Sequence, residues 1–162
     1  MSQSYTAPDG ARIGHVHLKV ADLDRALAFY RDVLGFQITD RFPQAVFLAS
    51  GDYHHHIGLN TWHSAGKPPA PVNAAGLYHT AILYPSQKDL AVAYKRVLDA
   101  GLTLDGAADH GVSLALYLRD PDQNGVELYW DKPRSEWPID TDGNLHMVNE
   151  RFDLNALLNL AA

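Results

Sequence analysis

The sequence predicts an α+β protein built from two βαβββ modules that pair as curved sheets into a barrel-like cup. Three observations carry this. The stretches IGHVHLKVADLDRALAFYRDVLG and LYHTAILYPSQKDLAVAYKRVLDAG overlay feature on feature; each passes from a short apolar strand through a capping residue into an amphipathic helix; and strand-like segments follow each helix. In the overlay His15 falls on His79, Leu18 on Ile82, Asp22 on Ser86, Tyr30 on Tyr94 and Leu34 on Leu98.

In chain order, Asp22 is the expected N-cap of the first helix, Leu23, Ala26, Leu27, Tyr30 and Leu34 recur at helical spacing, and Gly35 marks the stop. Strands follow over Phe36 to Phe42, Ala45 to Ser50 and, after a Gly51-Asp52 turn, His54 to Trp62. The connector HSAGKPPAPVNAAG, residues 63–76, has no period that an element could use. In the second module Ser86 with Asp89 reads as a capping box, Leu90, Tyr94, Val97 and Leu98 form the apolar stripe, and Gly101 ends it. Strands then cover Ser113 to Leu118 and Val126 to Trp130 across a turn at 120–125. The modules therefore occupy residues 11–62 and 77–131 of one domain, and the tail 132–162 ends in a short helix capped by Asp153. The helix tyrosines are expected in the core or at its rim, and the tail is expected to serve packing or subunit contact.

Composition narrows the chemistry. With 162 residues and 46% hydrophobic content the chain can bury a real core. No apolar run approaches the roughly 20 residues of a membrane span, and Met1 to Gly10 lacks the pattern of an export signal, so a soluble cytoplasmic protein is expected. The net charge of −6, without a Lys/Arg cluster, argues against nucleic acid or an anionic membrane as partner. There is no cysteine, so any metal must be held by His, Asp or Glu.

A lone strand histidine is ordinarily structural, but His15 and His79 stand at equivalent positions of a duplicated unit, where paired sheets can face them toward one shared cavity. The fourth strand of the second module adds Glu127. Two imidazoles and a carboxylate are the donor set that holds non-haem Fe(II) on one face and leaves coordination positions open. Mn(II) would also fit, and zinc is the weaker reading. The HisHisHis run at 54–56 divides by strand alternation: either His55 alone or His54 with His56 points at the metal, and periodicity does not choose. His17 shares parity with His15; it, His54, His56 and His63 receive no role.

The segments IGHVHLKVADL, AFYRDVLGF, YHTAILY and LYLRDPDQNGVELYW resemble the vicinal oxygen chelate superfamily, the glyoxalase/bleomycin resistance/dioxygenase group, over about residues 11–131. The resemblance implies paired βαβββ modules around one metal, with His15, His79 and Glu127 as ligands. More narrowly the chain is similar to the type I extradiol catechol dioxygenases; glyoxalase I is expected to carry Glu or Gln where His15 stands. This similarity implies Fe(II), a catechol-like aromatic diol and O2 as substrates, His55 as acid/base, and His110 and Tyr117 as groups holding substrate oxygens. The familiar extradiol enzymes are twice this length, so a homodimer is expected here, the tail or a partner subunit replacing the missing cap. The alternatives are another metal-dependent member of the superfamily, isomerase or resistance transferase, and a non-catalytic small-molecule binding protein.

Overall fold

In the computed structural model, which describes residues 5–162, each half of the chain forms its own four-stranded sheet. Met1 to Ser4, the start of the segment read for an export signal, lie outside the described residues. The first module contains β1 (Val16–Lys19), α1 (Leu23–Leu27), β2 (Gln37–Phe42), β3 (Ala45–Ala49) and β4 (Ile57–Asn60), with strand order β1-β4-β3-β2. The second contains β5 (Thr80–Leu83), α2 (Gln87–Asp99), β6 (Gly106–Asp109), β7 (Ser113–Arg119) and β8 (Gly125–Asp131), with the corresponding order β5-β8-β7-β6. In both sheets the first strand runs parallel to the last and the other pairings are antiparallel. The duplicated sequence thus folds into duplicated topology. Among the described residues no helix is long and apolar enough to cross a membrane.

The caps act where the sequence places them. The Asp22 carboxylate accepts from the Arg25 amide at 2.8 Å, and the Ser86 hydroxyl accepts from the Asp89 amide at 3.1 Å, each satisfying an amide that has no partner within its helix. The first helix departs from simple α-periodicity: α1 has five residues and continues as a π-helical segment over Ala28–Val33. Phe29 and Tyr30 are both buried in this segment, and the Leu34 amide donates to the Phe29 carbonyl five residues back. In α2, Leu90, Ala91, Ala93, Tyr94 and Val97 face the core.

Two strands differ from expectation. The last strand of the first module begins only at Ile57, so His54, His55 and His56 precede it and strand alternation does not govern where they point. The second module gains β6, whose sequence GAAD contains no β-branched or aromatic residue to announce it. This strand is held by β7 on one side and by paired backbone hydrogen bonds between Asp109 and Glu150 on the other. The segment 63–76 forms turns without a helix or strand. In the tail, Asp153 caps α3 (Leu154–Asn159), and buried Leu157 joins the common core.

Alternation separates two faces in each sheet. Leu18, Val20, Val46, Leu48, Ile57 and Leu59 of the first module join Leu114, Leu116, Leu118, Val126 and Leu128 of the second in one apolar cluster with the helices. His17, Phe47, Tyr117 and Glu127 have the opposite parity, and lie on the faces turned from that cluster. The modules are locked together on the core side. The Tyr30 hydroxyl donates to Asp120 Oδ2 at 2.9 Å, and Asp122 Oδ1 accepts from the Ala21 amide at 2.9 Å and the Arg25 guanidinium at 2.6 Å. The Arg96 guanidinium adds bonds to the carbonyls of Asp32 and Val33.

Candidate metal centre

Five of the six residues singled out by the sequence fall just outside strands or on the faces turned from the core in two separate groups, and the sixth, His110, stands in the β6–β7 turn beside the second group. The second module carries the larger one. His79 immediately precedes β5, and its Nε2 lies 2.9 Å from Glu127 Oε2 on β8. The Tyr117 hydroxyl, on the neighbouring β7, is 3.3 Å from Glu127 Oε1 and 2.6 Å from His110 Nε2. Gly125 makes this arrangement possible, because a Cβ there would stand 2.1 Å from the Tyr78 carbonyl and 3.1 Å from His79 Cα. Only glycine lets the chain leading into β5 cross β8 this closely. A cavity of about 190 Å³ opens beside His79 and Tyr117, bounded also by Tyr78, Asp105 and Arg119.

The second module's donors fit a metal. Two ligands about 2.1 Å from one ion, at right angles across it, are about 3 Å apart, which matches the edge between His79 Nε2 and Glu127 Oε2. His79 Nδ1 is buried without a hydrogen-bond partner. Burial raises the Tyr117 phenol to about 12, with the Glu127 carboxylate adding to the shift, so the group stays a donor at any ordinary pH.

His110 is held from the tail. Its backbone carbonyl accepts from the Val148 amide at 3.1 Å and its Nδ1 meets the Val148 carbonyl at 3.0 Å. A carbonyl only accepts, so Nδ1 carries a proton, and in the tautomer protonated there alone Nε2 accepts from Tyr117. Gly111, at φ +77°, packs against Pro138, whose Cγ lies 2.7 Å from where a Cβ would stand. Asp109, next to His110, is ion-paired with Lys132 at 2.7 Å; burial alone would raise its carboxyl, and the Lys132 and Gly111 hydrogen bonds outweigh this to hold it below the usual range.

The first module carries the remaining donors. His15 precedes β1 and its ring lies tilted against His55, with ring centroids 4.4 Å apart and planes inclined at 53°. His55 also meets Phe47 at 5.0 Å, and its Nδ1 lies 2.7 Å from His54 Nδ1. Burial, then the neighbouring imidazoles led by His15, lower the His55 pKa, so the ring is neutral at neutral pH. His17 lies over Gly58 between Phe47 and Trp62, and Phe42 stands edge-on to Phe47. His56 Nδ1 accepts from the Ser50 amide, while His63 is exposed in the connector. The aromatic floor of Phe42, Phe47 and Trp62 has no counterpart in the sequence reading, although the parity of 45–50 already put Phe47 on the same face as Ala45 and Ala49.

The two groups do not meet within one chain. Among the described residues no three His, Asp or Glu side chains are gathered closely enough to hold an ion, so His15 stands apart from the His79–Glu127 pair. The duplication predicted that equivalent positions share a cavity; here each lies on its own sheet, facing away from the common core.

Comparison with known proteins adds the family context. A family described as the Glyoxalase/Bleomycin resistance protein/Dioxygenase superfamily matches residues 12–128. A catechol-2,3-dioxygenase of Bacillus subtilis (strain 168) is 39% identical over 153 residues, which is 94% of this chain and 53% of that protein. A biphenyl-2,3-diol 1,2-dioxygenase of Rhodococcus globerulus is 35% identical over 120 residues, 74% of this chain and 63% of that one. The chain thus spans between half and two thirds of these relatives' length. Among solved structures, a lactoylglutathione lyase from Agrobacterium tumefaciens superposes with a TM-score of 0.59 and 25% identity over 76% of this chain and 96% of its own.

Proposed function

The chain belongs to the glyoxalase/bleomycin resistance/dioxygenase superfamily, and from that premise we propose that it is a metal-dependent extradiol dioxygenase that opens the ring of a catechol-like substrate with O2. The observation that carries the reading is the contiguous row His79–Glu127–Tyr117–His110, in which each side chain stands within 3.3 Å of the next. Two metal donors stand beside two groups able to handle a phenolic oxygen. The relatives named for catechol and biphenyl-diol cleavage support the same class.

His79, Glu127 and His15 are the proposed ligands, and Fe(II) the proposed metal, with Mn(II) as the alternative that the same donors accept. When bound, the metal supplies the chemistry that brings a diol and O2 together at one centre. The side chains do the rest. Tyr117 donates its one proton to His110 Nε2 in the resting geometry, since 2.6 Å is the stronger contact and 3.3 Å to Glu127 the weaker. A substrate oxygen entering beside Glu127 competes for that proton, so Tyr117 and His110 orient it. His55, neutral at neutral pH, is the proposed acceptor of a diol proton and its later donor. Phe42, Phe47 and Trp62 offer the ring an apolar floor.

The experiment is anaerobic loading with Fe(II), then addition of O2 and a panel of catechols. Oxygen uptake with appearance of a yellow ring-opened product is expected. Metal-loaded protein that leaves every diol intact, or that turns over a non-aromatic substrate without consuming O2, would assign it to another branch of the superfamily.

A further inference from the structure

The register of the two sheets sets matching rows of residues abreast. In the second module the row is Ala81, Glu127 and Tyr117 on β5, β8 and β7. In the first module the equivalent row is His17, Gly58 and Phe47 on β1, β4 and β3. Where one row carries the proposed ligand Glu127, the other has only a glycine, and the imidazole of His17 lies across it: a Cβ on Gly58 would stand 2.9 Å from His17 Cδ2 and 3.0 Å from Cγ. We infer that His17 is a specificity-determining residue, hydrogen-bonding an oxygen-bearing substituent on the ring of the diol. The inference rests on the dioxygenase reading above and deepens it by naming the substrate class: catechols that carry a polar group, such as a carboxylate or a hydroxyalkyl, on a carbon remote from the two hydroxyls.

Three observations point the same way. The ring is lodged between Phe47 and Trp62, with centroids 5.7 Å and 5.3 Å away, and these two belong to the apolar floor proposed for the diol. The aromatic flanks and the bare backbone of Gly58 hold its plane, yet the residue remains exposed on the face turned from the core. A histidine that met only solvent would need neither the missing Cβ nor the flanks. Second, among the described residues no hydrogen bond reaches either ring nitrogen of His17, whereas His54, His55, His56 and His110 all engage theirs. An imidazole always offers at least one N–H donor, and in its neutral form an acceptor as well. Third, His17 has the parity of the proposed ligand His15, and positions two apart on an extended chain are separated by about 6.6 Å, a span that one substituted ring bridges. A single polar group with unspent hydrogen-bonding capacity, set in a mainly apolar and aromatic lining, is what orients a small ligand and selects among its analogues.

The test compares three probes, 4-carboxycatechol, 4-(hydroxymethyl)catechol and 4-methylcatechol, on Fe(II)-loaded wild type and on His17→Leu, His17→Gln and Gly58→Ala. Two quantities are read for each pair: kcat/KM by oxygen uptake, and the anaerobic dissociation constant by tryptophan fluorescence, for which Trp62 stands beside His17 as reporter. Wild type is expected to prefer at least one of the two oxygen-bearing diols over the methyl one by about 10-fold in both quantities, the discrimination that one hydrogen bond supplies. His17→Leu should erase or invert that ratio, and His17→Gln, which keeps a donor and an acceptor, should restore part of it. Gly58→Ala displaces the ring without removing it and should shrink the ratio, which guards against a folding defect peculiar to the leucine variant. A wild type that cleaves all three diols equally or favours 4-methylcatechol, or a folded His17→Leu with the wild-type ratio, would overturn the role of His17 and leave the dioxygenase reading standing. Loaded wild type that binds the diols with the expected preference and cleaves none would do the reverse, removing the reaction while keeping the recognition.

Discussion

Tyr30→Phe tests the lock between the modules. The ring is fully buried and Phe keeps its volume, so no cavity term enters; what is lost is the hydroxyl donating to Asp120 Oδ2 at 2.9 Å. Asp120, 1% exposed, keeps the amides of Asp122 and Asn124 and the Asn124 side-chain amide. One hydrogen bond to a charged group is worth about 1.5–3 kcal/mol, and the bond is not replaced by water in a site this closed. A loss of about 2 kcal/mol is expected, equivalent to roughly 4–8 °C in melting temperature for a chain of this size. Urea unfolding at pH 7 measures it, with an unchanged slope showing that only the native state has been weakened. Asp120→Ala strands four donors and must cost more. A Tyr30→Phe effect below about 0.5 kcal/mol, or a larger effect than Asp120→Ala, would show that the hydroxyl is satisfied elsewhere and that this contact does not fix the modules.

Other consequences can be checked separately. Tyr117→Phe should lower turnover of a catechol about 10- to 100-fold, equivalent to roughly 1.4–2.7 kcal/mol, while iron content stays at the wild-type level, because the hydroxyl touches Glu127 without belonging to the ligand set; a variant that loses its iron contradicts this. Gly125→Ala forces a methyl toward the Tyr78 carbonyl, so both stability and iron uptake should fall, the first by at least about 2 kcal/mol; a well-folded alanine variant with full iron would show that the crossing can relax. Lys132→Met removes the partner that holds the Asp109 carboxyl below its ordinary value. A depressed folded-state pKa stabilises above the unfolded value near 3.8 and is lost as pH falls through the folded one, so wild type should lose stability below about pH 4 more steeply than Lys132→Met, as read by urea midpoints between pH 6 and 3.

The parts of the fold written in local pattern were legible: Asp22, Ser86 and Asp153 cap helices where expected, the stripe Leu90–Tyr94–Val97 faces the core, and β3, β7 and β8 fall within a few residues of their predicted spans. What escaped was set by tertiary contact. β6 has no strand composition and is made by its neighbours, the first helix passes into a π-helical turn that its apolar spacing does not announce, and the histidine run lies before the strand, whose ladder with β3 ends at the Leu48–Ile57 pair. The duplication disclosed equivalent positions without disclosing which faces oppose each other. That depends on the Tyr30–Asp120 and Arg25–Asp122 contacts between residues about ninety or more positions apart, which no local period encodes.

The tail supplies a last consequence, since it lies largely beyond the family match at residues 12–128 and yet reaches the candidate site. Glu150 pairs with Asp109, Val148 grips His110 through both its amide and its carbonyl, and Pro138 fills the space beside Gly111. The Val148 carbonyl can be satisfied only by a proton on Nδ1, so His110 is held in one tautomer with Nε2 facing Tyr117. The imidazole 15N shifts of the neutral His110 ring in labelled protein should therefore report a protonated Nδ1 and an unprotonated Nε2. Gly111→Ala, which drives a methyl into Pro138 at a backbone angle of φ +77°, should blur this into a mixture and lower kcat with little change in KM. A purely structural tail would leave the tautomer untouched in any folded variant, and a wild-type ring protonated on Nε2 would refute the positioning role directly. In that case Tyr117 would accept from His110, freeing its own proton for Glu127, and the order of donors along β7 and β8 would run the other way.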